Sequence, residues 1–120
     1  MIQKLTKLNV ADNSGAKIIQ CIGTFNNLKV ASIGDLITVS IKKALGTAKV
    51  KKGEVHKALI VRTKKEIRRE DGRTIKFDEN SAILLAPDRK TMLGSRVLGP
   101  VPIELRKDWA KVLSVSSKIV

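Results

Sequence analysis

The sequence predicts a mainly β chain, closed or nearly closed into a small barrel and ending in short helices. Three features carry this expectation. Short segments alternate apolar and polar residues with period two, and Gly and turn-forming residues occur singly between them. In the tail, the apolar spacing changes to that of a helix.

The first strand is expected around Ile2–Val10, where alternation begins with the opening residues. Asp12-Asn13-Ser14-Gly15 then reads as a turn, since Asp and Asn bond their own backbone and Gly tolerates positive φ. A second strand follows around Ala16–Thr24. The Gly34-Asp35 turn leads into a third, Leu36–Lys43, in which Leu36, Thr38 and Ser40 alternate with Ile37, Val39 and Ile41. "HKALIVRTKKEI" gives a fourth, and "RTIKF" and "SAILLA" complete the sheet. In the tail, Pro102 and Glu104 are placed as for a first helical turn. Asp108 is positioned to cap a second helix carrying Trp109, Val112 and Leu113 on one face, with Trp109 as a lid over one barrel end. No linker, repeat or low-complexity tract interrupts residues 1–120, which reads as one domain.

"VRTKKEIRREDGRTIKF" (Val61–Phe77) folds back on itself as a hairpin at Asp71-Gly72. A two-residue loop would mix apolar and basic side chains on one face. A three-residue loop, Glu70 to Gly72, pairs Ile67 with Ile75 and Lys65 with Phe77 instead. Val61, Thr63, Ile67, Ile75 and Phe77 then share one face. The other carries Arg62, Lys64, Arg68, Thr74 and Lys76, with Glu66 the sole acid.

Charge indicates what such a face is for. The 120 residues hold 24 basic and 11 acidic side chains, a net +13. From Lys42 to Lys76 there are thirteen basic and four acidic residues, so +9 falls within 35 positions. Self-repulsion of that size calls for a polyanion, and nucleic acid fits best. No segment reads as a basic amphipathic helix for a membrane surface, and no apolar run is long enough to span one. Lys49, Lys51 and Lys52 cluster in a second basic turn ending at Gly53. The three aromatics, Phe25, Phe77 and Trp109, supply no stacking platform for single-stranded bases. Phosphate and shape contacts to folded RNA are the better match, through Lys49, Lys51, Lys52, Arg62, Lys64, Arg68 and Lys76, with Arg69 and Arg73 at the hairpin tip.

Reactive chemistry is not expected. One His and one Cys cannot complete a usual zinc ligand set. Cys21 sits in an apolar run as a small buried hydrophobe. His56, beside Lys57, is a further phosphate-facing donor. Phosphate-binding Gly loops and a nucleophile elbow are lacking, and Asp78-Glu79 falls in a turn. The chain reads as a non-enzyme without metal or cofactor. Its first residues form a strand rather than a secretory signal or transit peptide, so it is expected to be made where it works or to be a mature form.

"LNVADNSGAK", "KVKKGEV", "ALIVRTKKEIRREDGRTIKFDENSAILL" and "GSRVLGPVPIELR" resemble, in this order, the blocks of the universal large-subunit ribosomal protein number fourteen family, nearest its bacterial and organellar branch. The resemblance implies a five-stranded β-barrel with a hairpin extension and short C-terminal helices, acting as a structural constituent of the large subunit during translation. It further implies contact with large-subunit rRNA and a bridge to small-subunit rRNA. Large-subunit proteins three and nineteen would be neighbours, and a ribosome-silencing factor would dock at Ser95 and Arg96 to block subunit joining. "GTFNNLKVASIGD" is shorter than the bacterial pattern and keeps only Lys29 of its basic residues, while "ALGTAKVKK" lacks the usual Pro-Arg-Gly. These departures point to a divergent, mitochondrial ribosome and an organelle-encoded chain, ahead of a bacterial cytoplasm or a plastid. The rival reading is a free regulatory or RNA-modifying factor built on a similar basic barrel.

Overall fold

A computed structural model describes residues 2–24, 30–45, 50–87 and 91–120. Five strands close into a barrel in the order β1 (Lys7–Val10), β2 (Ala16–Thr24), β3 (Leu36–Ala44), β4 (Val55–Arg62) and β7 (Ser81–Leu85). Neighbours run antiparallel, except where β1 closes the barrel parallel to β7. The hairpin strands β5 (Ile67–Arg68) and β6 (Thr74–Ile75) form a separate ribbon. "RTIKF" therefore extends from the barrel instead of completing it.

Period-two alternation determines what fills the interior. Along β3, Ile37, Val39 and Ile41 are buried while Thr38 and Ser40 are half-exposed. With Leu8, Ile19, Cys21, Ala58, Ile60, Ala82 and Leu84 they form one continuous core. Ile2 joins it through a two-way backbone bridge to Ala31, at 2.7 and 2.6 Å.

Strand β7 is buried throughout, as is the second half of β4. Each carries apolar residues on both faces because a second layer covers the barrel there. Leu59, Val61, Ile83 and Leu85 point outward into a second core with Val97, Val101, Leu105, Val112 and Leu113. This layer comprises β8 (Val97–Val101), a 3-10 turn Ile103–Arg106, helix α1 (Ala110–Ser114) and β9 (Ser116–Ile119). The β8–β9 pair is parallel, and its register breaks between Val97 and Pro100. Two strands in the tail were not expected from its sequence.

Glu104 occupies the first turn of the 3-10 segment as anticipated, but Pro102 is its N-cap. Trp109, not Asp108, occupies the N-cap position of α1, without a side-chain cap bond. Trp109 packs against the outer core rather than over a barrel end. With apolar side chains on the outside of β4 and β7, burying that face gains more than plugging an already filled interior.

Candidate nucleic-acid interface

The hairpin loop forms as its patterning predicts. Ile67 pairs with Ile75 and Arg68 with Thr74, while the Arg69 N–H donates to the Arg73 carbonyl at 2.8 Å. Gly72 takes φ 88°, the left-handed position that closes such a loop.

The basic face does not run continuously from β4 into this ribbon. The β4–β7 register shifts between Ile60 and Arg62. A second break follows: the Phe77 N–H donates to the Thr63 carbonyl at 3.1 Å, although an unbroken hairpin would set Phe77 opposite Lys65. Within this stretch the Thr63 hydroxyl donates to the Lys65 carbonyl at 2.9 Å, and the Lys64 N–H to Oδ1 of Asn80 at 2.8 Å. The offset at Phe77 is two residues and moves the pairing without exchanging faces, whereas the one-residue shift at Ile60/Arg62 changes which face the next side chains occupy.

Arg62 is turned inward as a result, and its placement among the solvent-facing cations is corrected. It is 6% exposed. Nη1 donates to the carbonyls of Leu98 and Pro100 at 2.8 and 3.1 Å, and Nη2 to Glu79 Oε1 and Ser81 Oγ at 3.0 and 3.2 Å. The carbonyls it reaches flank Gly99, where the β8–β9 register breaks. Burial pulls the guanidinium below its ordinary pKa, and Glu79 opposes that pull. The group still remains a cation in any physiological solution.

Arg69 is also committed within the chain. Nε and Nη2 clasp the Glu104 carboxylate at 2.5 and 3.4 Å, and Nη2 donates to the Val120 carbonyl at 2.7 Å. The ribbon is thereby tied to the C-terminal layer. Arg73 is exposed but pairs with Asp71, Nε to Oδ2 at 2.6 Å. Bonds from the Arg73 backbone N–H and then its side chain hold Asp71 below the usual carboxylate range.

The remaining cations face solvent. Lys51, Lys52, Lys64, Arg68 and Lys76 are exposed, and none forms an ion pair among the described residues. Lys49 lies outside the described residues, as do Lys29 and Phe25. The Lys51–Lys52 turn is shaped by Gly53 at φ 91° and by the Lys51 N–H donating to Glu54 Oε1 at 2.6 Å. It precedes β4, whereas Lys64 and the ribbon follow it. Seven residue steps of strand, roughly 23 Å, separate Val55 from Arg62. Lys51 and Lys52 thus lie at one end of β4, and Lys64, Arg68 and Lys76 at the other. His56 does not stand free: its Nε2 lies 3.1 Å from Glu54 Oε2. Cys21 is buried in the barrel core, and burial raises its thiol pKa.

Strand pairing adds two cations that linear charge counting did not single out. Lys7 and Lys64 line one recess of about 390 Å³, with Ile18, Asp78, Glu79 and Asn80. Ile18 pairs across the sheet with Lys43, and Lys7 and Lys43 are both exposed. Alternation along β1 turns Lys7 outward. Its meeting with Lys64 depends on barrel closure through β7, which no local pattern encodes.

Ser95 and Arg96 lie elsewhere, exposed on the loop entering β8. Asn13 holds this loop: Oδ1 accepts the N–H groups of Ser95 and Arg96 at 2.8 and 3.2 Å, and Nδ2 donates to Ser95 Oγ at 2.8 Å. Among the described residues, no cluster of three His, Cys, Asp or Glu side chains could hold a metal ion.

The fold and its charge define a small, strongly basic β-barrel with a covering C-terminal layer. The family model described as ribosomal protein L14p/L23e matches residues 1–120, the whole chain. The chain belongs to that family, and so to the structural, non-enzymatic constituents of the large ribosomal subunit.

Proposed function

We propose that this chain binds large-subunit rRNA through Lys64, Arg68 and Lys76 at one end of β4 and Lys51 and Lys52 at the other, together with Lys49. The observation carrying this reading is that Lys51, Lys52, Lys64, Arg68 and Lys76 are exposed and form no ion pair among the described residues, while Arg62 and Arg69 are consumed by internal partners. Lys7 extends the first group, and Lys43 lies between the two, paired with Ile18 on one side and two residues past Ile41, which bonds Gly53 and Glu54, on the other. Arg73 contributes only when released from Asp71. Two basic sites separated by a strand length suit a folded RNA, whose phosphates recur at many angles, better than one linear strand.

The Ser95–Arg96 loop, on the C-terminal layer, faces the small subunit. It contributes to a bridge with small-subunit rRNA and offers the surface on which a ribosome-silencing factor blocks joining. Large-subunit proteins three and nineteen are neighbours. The shortened "GTFNNLKVASIGD" and the missing Pro-Arg-Gly favour a mitochondrial ribosome. Family membership weighs against a free regulatory or RNA-modifying factor.

Salt-dependent binding to large-subunit rRNA tests the first claim. Replacing Lys64, Arg68 and Lys76 by Ala should weaken binding and lower the log–log salt slope by roughly one unit per lost phosphate contact. An unchanged slope would show that this group does not touch phosphate. Sedimentation of the chain away from large subunits at physiological salt would remove the ribosomal reading itself.

A further inference from the structure

The Asp12–Gly15 turn does more than reverse the chain between β1 and β2. Asp12 is 4% exposed, and its Oδ2 accepts the Leu84 N–H at 2.9 Å. Its Oδ1 accepts the N–H and hydroxyl of Ser14 at 3.0 and 2.5 Å. The turn is therefore anchored to barrel strand β7, and its shape is set by its own side chains. Asn13, next in sequence, is exposed, and its amide makes all three bonds to Ser95 and Arg96 described above.

The loop also crosses this turn very closely. A Cβ on Gly94 would stand 2.7 Å from Asn13 Oδ1 and 3.3 Å from the Asn13 backbone nitrogen. One residue beyond Arg96, Val97 is buried and bridges to Asp12. The surface loop is thus fixed from both sides by one two-residue unit. Asp12 grips the barrel and the start of β8, and Asn13 grips the loop. Arg96 is left with its backbone fixed and its side chain exposed, with no ion pair among the described residues.

We infer that Asn13 is the positioning residue of the subunit-joining surface. It holds Ser95 and Arg96 in the conformation that meets the partner, without touching that partner itself. This rests on the proposed role of the Ser95–Arg96 loop. Preorganisation is the physical basis: a loop already ordered in its binding conformation spends less binding free energy on ordering. The bonds are solvent-accessible, so water can replace them when Asn13 is removed. The effect should consequently fall on loop order and joining rather than on folding.

The test uses large subunits from cells whose sole copy of the chain carries Asn13→Ala, Asn13→Asp or Arg96→Ala. Association with small subunits is measured along with occupancy of the chain in the particle. Asn13→Ala should leave occupancy intact and weaken association about fivefold, the effect of losing one modest hydrogen bond. Asn13→Asp keeps the acceptors for both N–H groups and should restore most of the association. A loss with Arg96→Ala but none with Asn13→Ala would overturn this inference and leave the joining surface standing. No loss with either would remove the joining surface and this inference with it. Hydrogen exchange in the isolated full-length chain gives an independent reading should occupancy fall. The Ser95 and Arg96 amides should exchange faster in Asn13→Ala while the Leu84 amide does not, and unchanged protection at the loop would equally overturn the assignment.

Discussion

The barrel interior and the C-terminal layer bury similar aliphatic side chains, yet they are held differently at their edges. The barrel is a closed ring of strands, so each backbone ladder continues into the next. The layer rests on a parallel strand pair whose register breaks midway. Carbonyls freed by such a break must find donors when buried. Arg62 supplies donors to Leu98 and Pro100, and Arg69 to Val120. A guanidinium suits this task because its planar fork serves several acceptors at once. In a chain of net +13, some cations are thus internal fastenings, and charge alone does not separate them from those left for a partner.

The sharpest way to break this comparison is Arg62→Ala. It removes the donor to the carbonyls of Leu98 and Pro100, while Glu79 keeps Asn9 Nδ2 and Ser81 Oγ as donors, and should cost about 3 kcal/mol in chemical denaturation. Amides of β8 and β9 should lose exchange protection before those of β2 and β3. A loss under about 1 kcal/mol would mean that water already serves these groups.

Gly99→Ala attacks the same joint from the other side. Gly99 has φ 78°, and a Cβ there would overlap Nη1 of Arg62. The backbone conformation alone costs about 1–2 kcal/mol for alanine, and displacement of the guanidinium adds to it. Combined with Arg62→Ala, the substitution should cost less than the sum of the two singles, because the clash is gone. Strict additivity would show that Gly99 serves β8 alone.

These two residues also mark where the sequence stopped being legible. Alternation located the barrel strands, and the apolar face of the hairpin located its loop and the glycine closing it. Both are local: a period and a loop length fix them. Arg62 escapes such a reading because the register shifts by one residue between Ile60 and Arg62, and an irregularity of that kind leaves little trace in composition. Lys7 and Lys43 were overlooked because their neighbours are set by barrel closure. In the tail only the helical spacing is legible, since "VLGPV" and "SSKI" are too short and irregular to announce a parallel pair. The basic character of the surface was visible from charge counting, but its division between opposite ends of β4 required the fold.

Arg69→Ala should have a smaller, more local effect. The ribbon would lose its clasp on Glu104 and Val120, costing about 1–2 kcal/mol. Opening of β5–β6 should become roughly tenfold more frequent, read as faster exchange of the backbone amides at positions 69 and 72, while the barrel melts almost unchanged. Equal loosening of the barrel would make the ribbon part of its cooperative unit.

The smallest effect belongs to the hairpin tip, and it decides which class Arg73 joins. Asp71 accepts the Arg73 N–H at 3.1 Å and its Nε at 2.6 Å, and these bonds hold its pKa below the ordinary carboxylate value. A carboxylate depressed in the folded state contributes order that is fully present above its unfolded value. That contribution is lost as pH falls through the lower folded value. The Arg73 amide signal should accordingly follow an acid titration whose midpoint lies below that of Asp in an unstructured peptide. Asp71→Asn, which keeps an oxygen acceptor, should abolish that titration. A midpoint at or above the ordinary value would mean that Arg73 is free in solution, which would move it from the internal fastenings to the cations available for phosphate.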